Sequence, residues 1–345
     1  MRRTANLLQQ TKHKPTTAVL LGIGGYVPQT IITNQDLEYR LDTSDEWIQS
    51  RTGIRMRRQV SDGESTSDLA IQAGRRALDS AGNPDIDLVI LATTTPDHPC
   101  PATAPYVASK LGLGDVPAYD LAAVCSGFIF ALAQANAAVL SGQSHNVLVI
   151  GADAFSSIIN PEDRNTAVIF GDGAGAVVIG PSYDQQSDGL SAFELRSDGS
   201  QKDLIMVAAG GAQIPLRDST SDSDRFFAMK GKEVFSKAVN AMSSSSRTAL
   251  EKSKWKAKDV DWLVAHQANQ RILNCVSTAL NIPSEKAVVH LDRVGNTSAA
   301  SIPLALADHA SSFKEGDRIL LTAFGGGATW GAATLTWPNI SVAEL

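Results

Sequence analysis

No apolar run in this sequence approaches the roughly 18 residues that a membrane span needs; the longest, such as Asn146–Ala152 (NVLVIGA), have the length of a strand. Cysteine is scarce. The three present, Cys100, Cys125 and Cys275, are odd in number and not closely paired, which argues against a disulfide framework and for a reducing, cytoplasmic compartment. No CxxC or HxxxH spacing occurs, so nothing in the pattern indicates a metal site. Positive charge is not in excess either. The net charge of −6 disfavours nonspecific nucleic-acid binding. The start of the chain is basic but has no apolar core of the signal-peptide kind, and residues 1–15 read as a disordered tail.

What is present is enough apolar chain, 43% of 345 residues, for one large core or two fused smaller ones. β-branched runs alternate with Ala-rich helical stretches, the pattern of an α/β protein. The order of elements also repeats. Strand Asp87–Ala92, a helix from near Cys125, strand Val147–Ile150 and a glycine-rich strand entry at Gly171–Ile179 are matched later in the chain. Their counterparts are strand Asp261–Ala265, a helix from just after Asn296, strand Ile319–Thr322 and the entry Gly325–Leu335. Strand start to helix start is 38 residues in one half and 35 in the other, and from there to the next strand is 22 and 23. A duplicated unit is expected, with halves 16–188 and 189–345, and with Cys125 and Asn296 at equivalent helix starts facing a shared centre.

Cys125 precedes a stretch that is apolar or small through Leu140, so its helix is expected to be buried on all sides and to stop at Gly142. A thiol at the first turn of a helix feels the positive dipole end, which favours thiolate; the bland alternative is an inert buried cysteine. His266 stands where strand Asp261–Ala265 ends, the side of an open sheet where ligands bind, or else it is a core residue. Asn296 is either a helix N-cap or an amide donor for a developing oxyanion. Three successive glycines, Gly325 to Gly327, need a reason, and backbone N–H groups aimed at an oxyanion supply one. The Gly171–Gly175 run leads into a strand and not a helix, so it is read as a tightly packed turn and not a dinucleotide loop.

Taken together, AVCSGF at Cys125, HQAN at His266, GNTSAAS at Asn296 and FGGGATWG at Phe324 closely resemble the β-ketoacyl-acyl-carrier-protein synthase III family of the thiolase superfamily. DTSDEWIQSRTGIRMR (Asp42 to Arg57) and FGDGAGA at Phe170 add to the likeness, which runs from about Thr17 to Trp337. The resemblance implies the five-layered αβαβα thiolase-like fold of two duplicated halves, and a homodimer. It implies that an acyl-CoA acylates Cys125 and that malonyl-acyl-carrier protein then decarboxylates and attacks, initiating fatty-acid synthesis. His266 and Asn296 would stabilise the enolate, and the backbone N–H groups of Cys125 and Gly326 would form the oxyanion hole. Trp47 and Arg164 would sandwich the CoA adenine, with Arg51, Gly231 and Asn269 along the CoA channel. Gln267 and Arg271 would meet the carrier protein, and Cys100 would reach the acyl pocket across the dimer. No metal or cofactor is implied beyond the two thioester substrates.

The chain departs from the family pattern at Thr278 and Ala279, where lysines are expected for carrier docking; Lys252, Lys254, Lys256 and Lys258 are the candidates to compensate. Three other readings stay open on the residues: a related condensing enzyme of secondary metabolism or a thiolase, a cysteine hydrolase using Cys125, His266 and Asn296, and a non-catalytic module that binds carrier protein.

Overall fold

The apolar runs become nine strands whose two faces are both covered. They are β1 (Thr17–Tyr26), β2 (Leu88–Ala92), β3 (Ala118–Leu121), β4 (Val147–Asp153), β5 (Gly173–Ser182), β6 (Leu190–Ser197), β7 (Trp262–Ala265), β8 (Arg318–Gly325) and β9 (Thr329–Thr336). In β4, Val147 and Val149 point into a central core while Leu148 and Ile150 point into an outer one. In β8, Ile319 and Leu321 point to the centre and Leu320 to the opposite outer core. Burial on both faces is why these strands read as continuous apolar runs and not as alternating ones. The computed structural model describes residues 14–184 and 188–340; apart from Lys14 and Pro15, the tail expected over residues 1–15 lies outside them.

The strand order is β7-β8-β9-β6-β1-β5-β4-β2-β3. Read outward from the middle, β1-β5-β4-β2-β3 and β6-β9-β8-β7 follow one plan. In each, two antiparallel pairings are followed by parallel ones. Even the fifth position recurs, because Ala287 bridges β7 in parallel where β3 lies beside β2. The halves meet at a single pair, Ala18 with Leu190. The matches expected between β2 and β7, β4 and β8, and β5 and β9 all hold. The junction expected at residues 188 and 189 falls between β5 and β6, beside residues 185–187, which are outside the described ones.

Helices complete five layers: α1 (Asp45–Thr52), α2 (Thr66–Ser80), α3 (Gly127–Ser141), α4 (Gly231–Ser253), α5 (Gln270–Leu280) and α6 (Ser301–Asp308). α2 covers one outer face, and α4 with α5 covers the other. α3 and α6 lie between the two halves, and α3 touches strands of both. By length and composition Val124–Ser141 is long and apolar enough to cross a membrane, which corrects the reading of the apolar runs; here that stretch packs in the central layer. Its burial is not complete, since Gln134 and Ala137 are exposed. It ends at Gly142 in the left-handed conformation, as expected.

The central layer depends on close backbone approach. A Cβ added at Gly151 in β4 would lie 2.5 Å from the carbonyl oxygen of Ala299, just before α6. Backbone cannot yield as a side-chain tip can, so Gly151→Ala is expected to lower the free energy of unfolding by ~1–3 kcal/mol. Urea denaturation followed by circular dichroism measures this, and an unchanged midpoint would disprove the tight contact.

Candidate active site

Two matching turns build the site. β3 leads into a 3₁₀ turn, Val124–Ser126, and then α3; on the other side a 3₁₀ turn, Ser298–Ala300, leads into α6. Each begins on a non-glycine residue with positive φ, Val124 at 47° and Ser298 at 52°. Such a backbone costs of order 1–3 kcal/mol and persists only where its surroundings over-determine it. By place in the turn the counterpart of Cys125 is Ala299. The expected equivalence of Cys125 with Asn296 is therefore three residues out, because a 3₁₀ turn intervenes between Asn296 and α6.

Cys125, His266 and Asn296 nevertheless line one cavity, together with Phe170, Phe227 and Phe324. The cavity is largely apolar, and each of the three polar residues is held by a specific partner. Asn296 is clamped through its backbone, which donates to Ile169 O at 2.9 Å and accepts from Gly171 N at 3.0 Å. Its Oδ1 accepts from Ser298 N at 2.9 Å. The N-cap reading and the donor reading thus coincide, since a committed Oδ1 leaves the NH₂ to face the cavity.

His266 follows β7 and donates its backbone N–H to Thr322 O at 2.8 Å. Its Nδ1 lies 2.6 Å from Ser301 Oγ, which itself accepts from Gln267 N at 3.4 Å. In the tautomer where Ser301 donates to Nδ1, the imidazole carries its own proton on Nε2. Burial pushes the His266 pKa down to about 3, so the ring is neutral. A neutral Nε2–H ring offers a hydrogen-bond donor to the cavity. Ser301 was quoted in the GNTSAAS motif but not singled out; only the contact reveals its role.

Burial pushes the Cys125 thiol up to about 12, the Ser298 hydroxyl draws it down, and the Asp153 carboxylate pushes it up again. The expected thiolate is thus not the resting form, because desolvation outweighs the helix terminus. The glycines nearby meet two steric demands, close backbone approach and a left-handed backbone. A Cβ at Gly325 would lie 2.8 Å from the backbone N of Cys125, and Gly327 has φ of +129°.

Around this centre the other candidates separate. Arg164 stacks on Trp47, its guanidinium carbon 4.5 Å from the ring centroid, and Arg51 sits at 6.0 Å. The slot expected between Trp47 and Arg164 is therefore closed, with Arg164 held by Asp42 O at 2.6 Å. Asn269 caps α5 by accepting from Arg271 N at 2.8 Å, and it donates to Arg51 O at 3.0 Å. Gly231 opens α4 and is exposed.

Gln267 is fully buried. It donates to Ala265 O and Val288 O and accepts from His290 N, so it braces the chain and cannot meet a carrier protein. Arg271 is exposed on the first turn of α5. Beside the missing lysines, Arg247 of α4 donates to Ala279 O at 2.7 Å and brings a cation that sequence position concealed. Lys252 is paired with Glu194 at 2.6 Å. Lys254, Lys256 and Lys258 follow the C-terminus of α4, ~35 Å along the helix from Gly231. Cys100 is exposed and does not line the cavity of its own chain. Although no metal spacing occurs in the sequence, His290, Asp308 and His309 gather elsewhere; Arg293 already pairs with Asp308 at 2.5 Å and supplies the cation.

This geometry has close counterparts in known proteins. Residues 119–199 match the family model for 3-oxoacyl-[acyl-carrier-protein] synthase III, and residues 250–337 match the model for its C-terminal part. The chain is 53% identical over 329 residues to a beta-ketoacyl-[acyl-carrier-protein] synthase III of Streptomyces coelicolor, covering 94% of this chain and 98% of that one. The 3-oxoacyl-(acyl carrier protein) synthase III of Pseudomonas aeruginosa superposes with a TM-score of 0.87 at 44% identity, covering 94% and 99% of the two chains. A priming beta-ketosynthase from a polyketide pathway superposes at 0.88 with 32% identity, covering 94% and 98%. With relatives this similar along nearly its whole length, the chain belongs to the β-ketoacyl-acyl-carrier-protein synthase III family of thiolase-fold condensing enzymes.

Proposed function

We propose that this protein joins an acyl-CoA starter to malonyl-acyl-carrier protein by decarboxylating Claisen condensation, the step that initiates fatty-acid synthesis. One observation carries the mechanism. Asn296 Oδ1 accepts from Ser298 N and His266 Nδ1 meets Ser301 Oγ, an arrangement in which both side chains offer N–H donors to the cavity that holds Cys125. In the first half-reaction Sγ attacks the starter thioester and CoA leaves as its thiol. In the second, the malonyl thioester loses CO₂, and the two donors hold its oxygen as an enolate. The enolate carbon then attacks acyl-Cys125, the Cys125 and Gly326 N–H groups receive the tetrahedral oxyanion, and sulfur leaves as a thiolate that takes a proton from water. None of these steps calls for a metal or cofactor. The same reading makes the enzyme a cytoplasmic homodimer whose Cys100 approaches the partner's acyl pocket.

CoA binding requires movement. A ring stacked between Trp47 and Arg164 needs about 7 Å between them, twice the ~3.5 Å contact distance, so Arg164 must swing away from Asp42. Arg51, Gly231 and Asn269 then border the CoA channel. Carrier protein, rich in acidic groups, meets Arg271 with Arg247 in place of the missing lysines.

Mass spectrometry of the intact protein after incubation with a panel of acyl-CoAs tests this directly, with Cys125 as the expected acyl site and Cys125→Ser inactive. His266→Ala and Asn296→Ala are expected to accept the acyl group but to lose malonyl decarboxylation by ~10²–10³-fold. Because His266 stays neutral above about pH 3, decarboxylation by the wild type is expected to show no inflection near the ordinary histidine value. Ser301→Ala frees the tautomer and is expected to lower decarboxylation and not acylation. Loss of acylation in the His266 and Asn296 variants, with folding intact, would assign those residues to the thiol instead.

Arg271→Glu and Arg247→Glu are each expected to raise KM for malonyl-carrier protein severalfold, most at low salt, without changing KM for acyl-CoA. Unchanged values would move the docking surface elsewhere.

Starter choice rests on an aromatic wall. Phe170 and Phe227 line the cavity, and Phe155 stacks behind Phe170 at 4.4 Å. Phe227→Ala is expected to shift kcat/KM toward longer starters, by up to ~0.8 kcal/mol for each methylene accommodated. Cys100→Phe is expected to favour acetyl over four- and five-carbon starters. Identical starter profiles across these variants and the wild type would show that neither residue limits the pocket.

A further inference from the structure

The thiol proton of Cys125 must go somewhere, and His266 does not offer a place. With Ser301 donating to Nδ1, its Nε2 is already protonated, and burial keeps the ring from taking a second proton. The polar side chain that does meet Sγ is Ser298, whose Oγ lies 3.7 Å away. The Ser298 hydroxyl lies beside the carboxylate of Asp153 and draws its pKa down against the effect of burial, and that carboxylate has no solvent exposure. Asp153 Oδ1 accepts from the hydroxyls of Thr93 and Thr95 and from the amides of Thr94 and Thr95, while Oδ2 accepts from Ala299 N at 3.1 Å. Among the described residues, His266 across the cavity and Asp153 behind Ser298 are the titratable groups facing the thiol.

We propose that Ser298 and Asp153 form the proton path of the nucleophile, in which Ser298 takes the proton from Cys125 and Asp153 holds the one that Ser298 gives up. The inference rests on the acyl-transfer reading and adds a route to it. As the Sγ–carbon bond forms, the thiol proton passes to Ser298 Oγ and the hydroxyl proton of Ser298 passes to the Asp153 carboxylate. When the carbon–sulfur bond to CoA breaks, Asp153 returns a proton through Ser298 to the departing thiolate. The net change is acyl-CoA plus Cys125 thiol giving acyl-Cys125 plus CoA thiol, with no other reactant. Two further observations support this. Ser298 sits at φ 52°, where glycine is easier, so its hydroxyl is retained against backbone strain. Burial raises the Asp153 pKa, which suits a group that must take up a proton.

Ser298→Gly separates this role from a structural one, since glycine suits the backbone there. It is expected to be at least as stable as wild type, yet to accept acetyl from acetyl-CoA on the order of a hundredfold more slowly. Alkylation of Cys125 by iodoacetamide, followed by intact mass, is expected to need higher pH in this variant, because a hydrogen bond to sulfur is lost. Asp153→Asn separates proton uptake from charge. Removing the carboxylate eases thiolate formation, so alkylation at neutral pH is expected to hold or rise while acetylation falls. Acetylation of Ser298→Gly at the wild-type rate would overturn the path, and it decides alone if Asp153→Asn fails to fold. Slowing of both reactions in folded Asp153→Asn would overturn the carboxylate's part. A wild type that alkylates but takes no acyl group from any acyl-CoA would sink the acyl-transfer reading instead.

Discussion

The meeting of two backbone turns at the centre of the molecule is the constraint on which the rest depends. Val124–Ser126 and Ser298–Ala300 come from different halves, and both open on strained backbone. The tight approach of Gly151 to Ala299 and of Gly325 to Cys125 leaves no room for a side chain between them. Asp153 ties the arrangement together, gathering the Thr93–Thr95 segment from one half and the Ala299 amide from the other. The strain in each turn is held by packing from layers above and below, so the nucleophile is fixed by the whole fold and not by its own loop.

Dryness follows from that packing and sets the chemistry. In an apolar cavity neither a thiolate nor an imidazolium is stable, and both Cys125 and His266 rest in their neutral forms. What the cavity offers instead is oriented donors. Ser301 commits Nδ1 of His266, and the Ser298 amide commits Oδ1 of Asn296. A donor pair fixed in advance favours an oxygen that gains charge during reaction, and no reorganisation is needed at that moment. The Ser301 hydroxyl and the Ser298 amide that do this fixing belong to the same short segment, Asn296–Ser301, as one of the donors they orient.

The periphery obeys a different rule. Trp47 and Arg164 stack near the surface, with Arg164 held by the carbonyl of Asp42. Arg271 and Arg247 stand exposed in water, where charge steers encounter more than it adds affinity. Screening by salt belongs to this outer region, while the centre is buried and closely packed.

Much of this was legible in the sequence. The repeated order of strands, the stop at Gly142 and the three residues Cys125, His266 and Asn296 came from periodicity, punctuation and motif, because local pattern and burial on both faces leave a direct trace in composition. What the sequence could not show depends on distance between remote segments. Ala299 and not Asn296 matches Cys125, because the length of a 3₁₀ turn leaves no mark on hydrophobic period. Gln267 beside His266 points inward to backbone carbonyls and not outward to a partner, and Arg247 reaches Ala279 from 32 positions away. The state of the thiol is hidden from the sequence for the same reason. A helix terminus can be read from neighbours in the chain, but desolvation is a sum over everything packed around the atom, and only the tertiary structure performs it.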